Sequence, residues 1–396
     1  MSRGARAAGT AALMIWVVTV GLTAQDRSAE AQKAFQDDVH RAAGLQCEAC
    51  HKPSTRGRAV HEYRAPARTE IPSLCATCHS DAAYMRSFDP QVRVDQYTQY
   101  LTSGHGKAIV KGEVRAATCS DCHGAHGISR VRDPRSPVAP LNAAGTCARC
   151  HADPERMKAV GHDATPFADW SSSVHATALL KRGDTSAPTC NTCHGSHGAT
   201  PPGVTQVANV CAQCHVREAE LFRASPKKAI FDAMGQAECL VCHGNHAIHP
   251  TADTLIGLDA KAVCATCHDA SSNSALTITS VREGLDKIAN TLMSARTIVD
   301  QAEHAGMLVD EARLALQEGR EQQIQARALV HAFAAAPFAE VATRGADAAE
   351  RARLLGERAL EELQTRRRGL FVATLFIVGF LITLVWKIRR LPVPEP

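Results

Sequence analysis

Two similar stretches of this 396-residue chain decide its fold: Cys119-Ser-Asp-Cys122-His123-Gly-Ala-His126-Gly and Cys190-Asn-Thr-Cys193-His194-Gly-Ser-His197-Gly. Each contains the unit C-x-x-C-H, and six further copies of that unit account for the other twelve cysteines. Those cysteines are Cys47 and Cys50, Cys75 and Cys78, Cys147 and Cys150, Cys211 and Cys214, Cys239 and Cys242, and Cys264 and Cys267. A histidine follows the second cysteine in all eight copies: His51, His79, His123, His151, His194, His215, His243 and His268.

C-x-x-C-H is the attachment sequence of haem c. Its two thiols add to the two vinyl groups at one porphyrin edge, and the adjacent histidine binds iron from the same side. Structural zinc also uses paired C-x-x-C units, but it does not require a histidine after every pair. A disulfide framework would not need the histidines at all. The sequence therefore predicts eight covalently attached haem c groups.

The motifs form an internal repeat. The first cysteines of three pairs of motifs, at 47, 119 and 190, are 72 and 71 residues apart, and a shortened fourth pair starts at Cys239. Residues 47–268 hold eight motifs in 222 residues. Because so short a region cannot build an apolar core around each porphyrin, we expect the haems themselves to form the core. The expected fold is mainly α, with short motif-bearing helices, irregular loops and little sheet.

Nine histidines outside the motifs precede the last motif, and eight irons need eight sixth ligands. The candidates are His40, His61, His105, His126, His162, His175, His197, His246 and His249. His126, His197 and His246 lie three residues after a motif histidine, on that haem's proximal side, so as ligands they must serve neighbouring haems. The fourth pair lacks the upstream histidine that His105 and His175 provide in the second and third pairs. The Cys264–His268 haem is therefore the candidate for an open sixth site.

Both ends of the chain carry apolar segments. Residues 1–31 resemble an export signal with Arg3 and Arg6 at its start and a cleavage site at Ala29-Glu-Ala31, the alternative being an uncleaved anchor. Residues 369–386 form an uncharged run of 18 residues that is long enough to span a bilayer, the alternative being a buried core helix. The export signal then predicts that the haem region faces the periplasm and that residues 387–396 are cytoplasmic.

Residues 276–368 contain no cysteine and a heptad pattern. Val281, Leu285, Ile288, Leu292, Ala295, Val299 and Ala302 alternate spacings of four and three, as do Ala312, Leu316, Gly319, Gln323, Ala326, Val330 and Phe333. A third helix from about Phe338 is expected to run into the apolar segment. The helices predict either a stalk or bundle that docks on a partner or a second copy, or a spacer that packs on itself. The predicted domains are thus 1–31, 32–275, 276–368, 369–386 and 387–396.

Residues 40–268 resemble multihaem c-type cytochromes of the cytochrome c3-type (class III) and octahaem group, through their C-x-x-C-H-G-x-H motifs. The resemblance implies electron transfer between a quinol-linked membrane donor and periplasmic or extracellular acceptors, with a periplasmic carrier or terminal reductase as partner. Some octahaem relatives are instead enzymes acting on small nitrogen or sulfur compounds at one open haem, but all eight motifs here end in His. A third possibility is an oligomeric assembly module built by the 276–368 helices. The net charge of +4 predicts no nucleic-acid partner.

Overall fold

The computed structural model describes residues 28–53, 63–203 and 206–390. The expected export signal lies largely outside this range, because residues 1–27 are not described. About 66% of the chain is helical, and the described residues contain one sheet of only two short strands. The mainly α fold class is therefore confirmed.

Short helices joined by irregular loops make up the motif region. The α-helices are Val39–Ala42, Ile71–His79, Ala82–Arg86, Gln96–Thr102, Gly104–Val110, Cys119–His123, Pro140–His151, Pro154–Lys158, Pro166–Ser171, Val174–Ala176, Cys190–His194, Val207–Cys211, Val216–Ala224, Pro226–Met234 and Leu240–His243. Single helical turns of other types are Cys47–Ala49, Arg68–Glu70, Thr177–Lys181, Asp253–Leu255, Val263–Thr266 and Val330–Ala332. The strands Lys52–Pro53 and Tyr63–Arg64 pair antiparallel, with Lys52 opposite Arg64.

Local sequence explains why these helices are short. Several begin at an aspartate or serine whose side chain accepts a hydrogen bond from the first turn, as at Ser103, or have proline in the first turn, as at Pro140. Two motif helices end at the motif histidine because the next residue, Gly124 or Gly195, has a φ of 89° or 82°. Only glycine adopts this backbone conformation without strain, so the chain turns away directly after the histidine.

Three long helices follow the motifs, at Ala275–His304, Asp310–Leu329 and Ala335–Arg389. All seven residues of the first predicted seam are buried, from Val281 to Ala302. Four of the seven in the second seam, Ala312, Leu316, Gly319 and Ala326, are also buried. The third helix starts three residues before the expected Phe338 and buries small residues such as Ala346 and Ala349 against the other two. The helices thus pack on one another around a common apolar core.

The last helix continues through the apolar run. It is the one described helix that is long and apolar enough to cross a membrane, and none of its most apolar 18-residue window is buried. This full exposure does not fit a buried core helix and is compatible with a membrane anchor. The Arg390 guanidinium stacks over the Trp386 ring at 3.8 Å from the ring centre, at the end of the helix where a membrane interface would lie.

The chain forms two compact units. Of the described residues, the first unit comprises those up to residue 210 together with residues 243–250, and the second comprises residues 211–242 and 251–390. The second unit therefore contains the three long helices and residues of the last three motifs. Arg327 forms an ion pair with Asp253 at 2.8 Å, and Arg282 donates to the Ile256 carbonyl at 3.2 Å. The long helices are thus tied to the segment that leads into the last motif.

Candidate haem-binding sites

Helical geometry places the three functional side chains of a motif on one face. Positions i, i+3 and i+4 are neighbours on a helix surface, so both thiols and the histidine project to the same side. Cys119–His123 and Cys190–His194 are each one such helical turn, and the motifs at Cys75 and Cys147 end the longer helices Ile71–His79 and Pro140–His151. This arrangement suits two bonds to a porphyrin edge and one to its iron.

Consecutive motifs in the first unit lie side by side. The Cys75 and Cys119 thiols share a hydrogen bond, which raises the pKa of Cys75 and lowers that of Cys119. The Cys147 and Cys190 thiols do the same. The intervening steps are also close: burial, followed by the charge of Cys75, raises the pKa of Cys50. The pKa of Cys122 is likewise raised to about 11 by burial, followed by the charge of Cys147. The thiols of the first five motifs are therefore neighbours in chain order.

The second unit repeats this pattern. A hydrogen bond from Cys239 lowers the pKa of the Cys211 thiol to about 7. Burial, followed by the charge of Cys264, raises the pKa of Cys242. The thiols of the sixth, seventh and eighth motifs thus adjoin in chain order within this unit.

Five motif histidines face a second histidine across a constant gap. The ring-centre distances are 5.7 Å for His51 and His126, 5.9 Å for His40 and His79, 6.1 Å for His123 and His197, 5.9 Å for His105 and His151, and 5.9 Å for His194 and His246. A metal–imidazole bond is about 2 Å and the ring centre lies about 1 Å beyond the nitrogen, so two axial histidines need about 6 Å between ring centres. The five pairs fit an iron held between two imidazoles.

The pairs fall into two classes. In the first class, the histidine of the first motif in a pair is nearly parallel to its partner, with interplanar angles of 8°, 12° and 16°. This partner lies three residues after the first motif histidine of the next pair. Histidines of second motifs instead meet an upstream histidine at 90° for His40 and His79 and at 54° for His105 and His151. The candidate second ligand of each class therefore comes from a different position in the repeat.

The protonation state of these histidines also suits iron. Burial lowers the pKa of most of them, namely His79, His105, His123, His126, His151, His194 and His197. A lowered pKa favours the neutral imidazole, which is the form that ligates a metal.

Hydrogen bonds on the far side of the ring orient two of the ligand candidates. His40 Nδ1 lies 2.9 Å from the carboxylate of Asp38, which is 3% exposed and also accepts from the Ile128 amide at 2.8 Å. His51 Nδ1 lies 3.3 Å from the Arg64 carbonyl. In both cases the Nδ1 contact leaves Nε2 to bind iron, the usual arrangement around a metal-binding histidine.

The remaining sequence candidates differ in their placement. His61 lies outside the described residues. His162, His215 and His249 are exposed, while His175 and His243 are half-buried. His162 is near enough to His151 for its charge to lower the pKa of that residue. Among the residues that the structure describes, no group of three or more His, Cys, Asp or Glu is arranged around a bare metal ion.

Sequence reasoning missed one side chain at a motif histidine. Lys227 Nζ lies 2.8 Å from His268 Nε2, and its ammonium group is 5.6 Å from the centre of the Phe333 ring. No motif pointed to this lysine, because the predicted sixth ligands were all histidines. Lys227 nevertheless lies at the same position of the repeat as His105 and His175.

Comparison with known proteins agrees with the motif geometry. The model of the cytochrome c3 family matches residues 183–269, which contain the last four motifs. This match supports a cytochrome c3-type multihaem cytochrome, and that family carries covalently bound haem c. No curated protein and no solved structure shows a significant match to the chain.

Proposed function

We propose that this chain is an exported, membrane-anchored octahaem cytochrome c that transfers electrons between a quinol-linked membrane donor and periplasmic or extracellular acceptors. The similarity to cytochrome c3 supports electron transfer, and the exposed apolar helix supports anchoring. The observation that carries the proposal is the unbroken adjacency of consecutive motifs within each compact unit.

Haem c supplies one-electron iron chemistry when bound, and the protein supplies attachment, axial ligands and spacing. In this chain the cysteine pairs of all eight motifs would hold the haems and the eight motif histidines would bind iron. Side-by-side motifs set neighbouring attachment points close together, which rapid electron transfer requires. Where a second histidine faces the motif histidine, the two side chains would hold iron from both sides, favour a low reduction potential and leave no iron position for a substrate.

The haem number is tested by measuring haem per chain in the purified full-length protein, with peptide mass spectrometry of each motif. We expect eight haems, and we expect seven in a Cys190→Ala/Cys193→Ala variant. A wild-type count below eight, with an unmodified motif peptide, would overturn the octahaem assignment.

Electron transfer is tested by a potentiometric titration of the detergent-solubilised protein. We expect all haems to titrate reversibly over a broad range of negative potentials and to be reoxidised together by a soluble one-electron acceptor. A carrier predicts no turnover of nitrite, hydroxylamine or tetrathionate, whereas sustained turnover of one of them would replace this function by catalysis.

A further inference from the structure

A six-residue pattern precedes each of the four pairs of motifs. It reads aromatic-x-x-Ser/Asp-x-His in three copies: Phe35 to His40, Tyr100 to His105 and Trp170 to His175. The fourth copy runs from Phe222 to Lys227, with Ser225 at the polar position and lysine in place of histidine. The fourth pair of motifs therefore has an upstream counterpart to the other histidines, with a different side chain.

The backbone shows that the four copies are structurally equivalent. The polar residue is the N-cap of a helix in each copy, with φ between −69° and −84° and ψ between 138° and 164°. Its exposure is 3% for Asp38, 1% for Ser103, 0% for Ser173 and 8% for Ser225. The last residue of the pattern is thus always the second residue of a helix that starts at a buried cap.

That second residue meets the histidine of the following second motif wherever the contact is defined. His40 faces His79, and His105 faces His151, across the distances that fit an iron. Lys227 Nζ, at the same position, contacts Nε2 of His268, which is the second-motif histidine of the fourth pair. The partner atom is the very nitrogen by which His268 would bind iron.

The surroundings of Lys227 direct its amine to this contact. The adjacent Lys228 forms ion pairs with Asp232 at 2.5 Å and Glu238 at 3.3 Å, whereas the Lys227 Nζ lies against His268 and over the Phe333 ring. Phe333 packs edge-to-face on Phe222, the aromatic residue of the same repeat copy, at 6.1 Å. Phe333 also has a φ of 49°, a strained value for a residue other than glycine. The Phe333 ring beside the lysine is therefore held in a defined position.

We propose that Lys227 is the sixth ligand of the haem at Cys264–His268, so that this haem has one histidine and one lysine as axial ligands. The inference rests on the proposed attachment of eight haems. The lysine ammonium would lose one proton to solvent, and the resulting neutral amine would donate its lone pair to iron. Two axial nitrogens are about 4 Å apart. The flexible four-carbon stem of lysine can accommodate the step from the observed hydrogen-bond distance. The haem that lacks an upstream histidine would then have the lysine amine as its sixth ligand.

The test uses the full-length, haem-loaded protein in detergent and compares ferric spectra of the wild type with those of Lys227→Ala, Lys227→His and Lys228→Ala. Electron paramagnetic resonance and near-infrared magnetic circular dichroism separate high-spin iron, histidine–lysine and bis-histidine ligation. We expect one histidine–lysine haem in eight in the wild type. Lys227→Ala should convert that haem alone to a high-spin form that binds carbon monoxide after reduction.

The two other variants make the result specific. Lys227→His should keep all haems low-spin and replace the histidine–lysine signal by a bis-histidine signal. Lys228→Ala should keep the wild-type spectra because it removes only the neighbouring ion pairs. Wild-type-like spectra of Lys227→Ala would overturn the ligand assignment. Peptide mapping separates the two proposals: an unmodified Cys264–Cys267 peptide refutes the haem at this motif, whereas a modified peptide with unchanged spectra refutes only the lysine.

Discussion

At the scale of single residues, Asp38 links a helix cap to a candidate haem ligand, His40. Its carboxylate caps the Val39–Ala42 helix, accepts from the Ile128 amide and contacts His40 Nδ1. A carboxylate at Nδ1 makes an axial imidazole a stronger donor, which stabilises ferric iron. The single buried acid thus serves the local fold, and it would also tune the potential of an iron held between His40 and His79.

Asp38→Asn should raise the reduction potential of one haem, because the amide retains an acceptor oxygen but removes the negative charge. We expect a shift of about 50 mV, which corresponds to about 1.2 kcal/mol for one electron. Potentiometric titration of the full-length protein measures it. The matched control is Asp37→Asn, since Asp37 is an exposed neighbour. Superimposable titrations for wild type and Asp38→Asn would contradict the role of this carboxylate.

Gly106, next to His105, has no space for a side chain. A Cβ there would clash with the Tyr100 carbonyl, whereas a Cβ at Gly104 would meet its nearest atom, the Ala199 oxygen, at 3.9 Å. Gly106→Ala should therefore displace the His105 turn and leave the haem of His151 without its sixth ligand. We expect one high-spin haem in eight, seen by electron paramagnetic resonance, and none in Gly104→Ala. Eight low-spin haems in Gly106→Ala would show that the turn absorbs the methyl group.

At the scale of elements, periodicity predicts the long helices well and the motif region only in part. The heptad pattern identified all seven buried residues of the first long helix, since packing in a helical bundle depends mainly on spacing along the sequence. The fourth capped segment was missed because Lys227 stands where the other three copies have a histidine. The common backbone conformation of Asp38, Ser103, Ser173 and Ser225 shows that the four copies are equivalent. Which histidines pair depends on contacts between distant segments, and no local pattern encodes these.

The bundle should be sensitive to cavities along its seam. Ile288 is fully buried among the three long helices, so Ile288→Ala should lower the free energy of unfolding by about 2–5 kcal/mol. The control is Met293→Ala on the same helix, whose side chain is 66% exposed and should cost little. Denaturant unfolding followed by the far-ultraviolet helix signal compares them. Equal midpoints for the two variants would mean that the bundle does not form this core.

At the scale of the whole molecule, the second compact unit combines the long helices with the last motifs. The contacts are specific: Arg327 pairs with Asp253, and Phe333 lies against both Phe222 and Lys227. A plain spacer would not need an arginine that reaches back to the segment before the last motif. The helices therefore contribute to the surroundings of the Cys264–His268 motif in addition to carrying the apolar segment.

Two truncations separate these roles. A chain ending at Arg368 lacks the exposed apolar run and should leave the membrane fraction while keeping eight haems and the wild-type ferric spectra. A chain ending at Ala275 also lacks Arg327 and Phe333. It should therefore lose the aromatic ring beside Lys227, and the spectrum of one haem should change. Cell fractionation, haem counting and electron paramagnetic resonance of the two soluble products measure these outcomes. If the shorter chain kept every haem signal of the longer one, the long helices would serve only as a tether, because their contacts with Asp253 and Lys227 would then have no effect on the site.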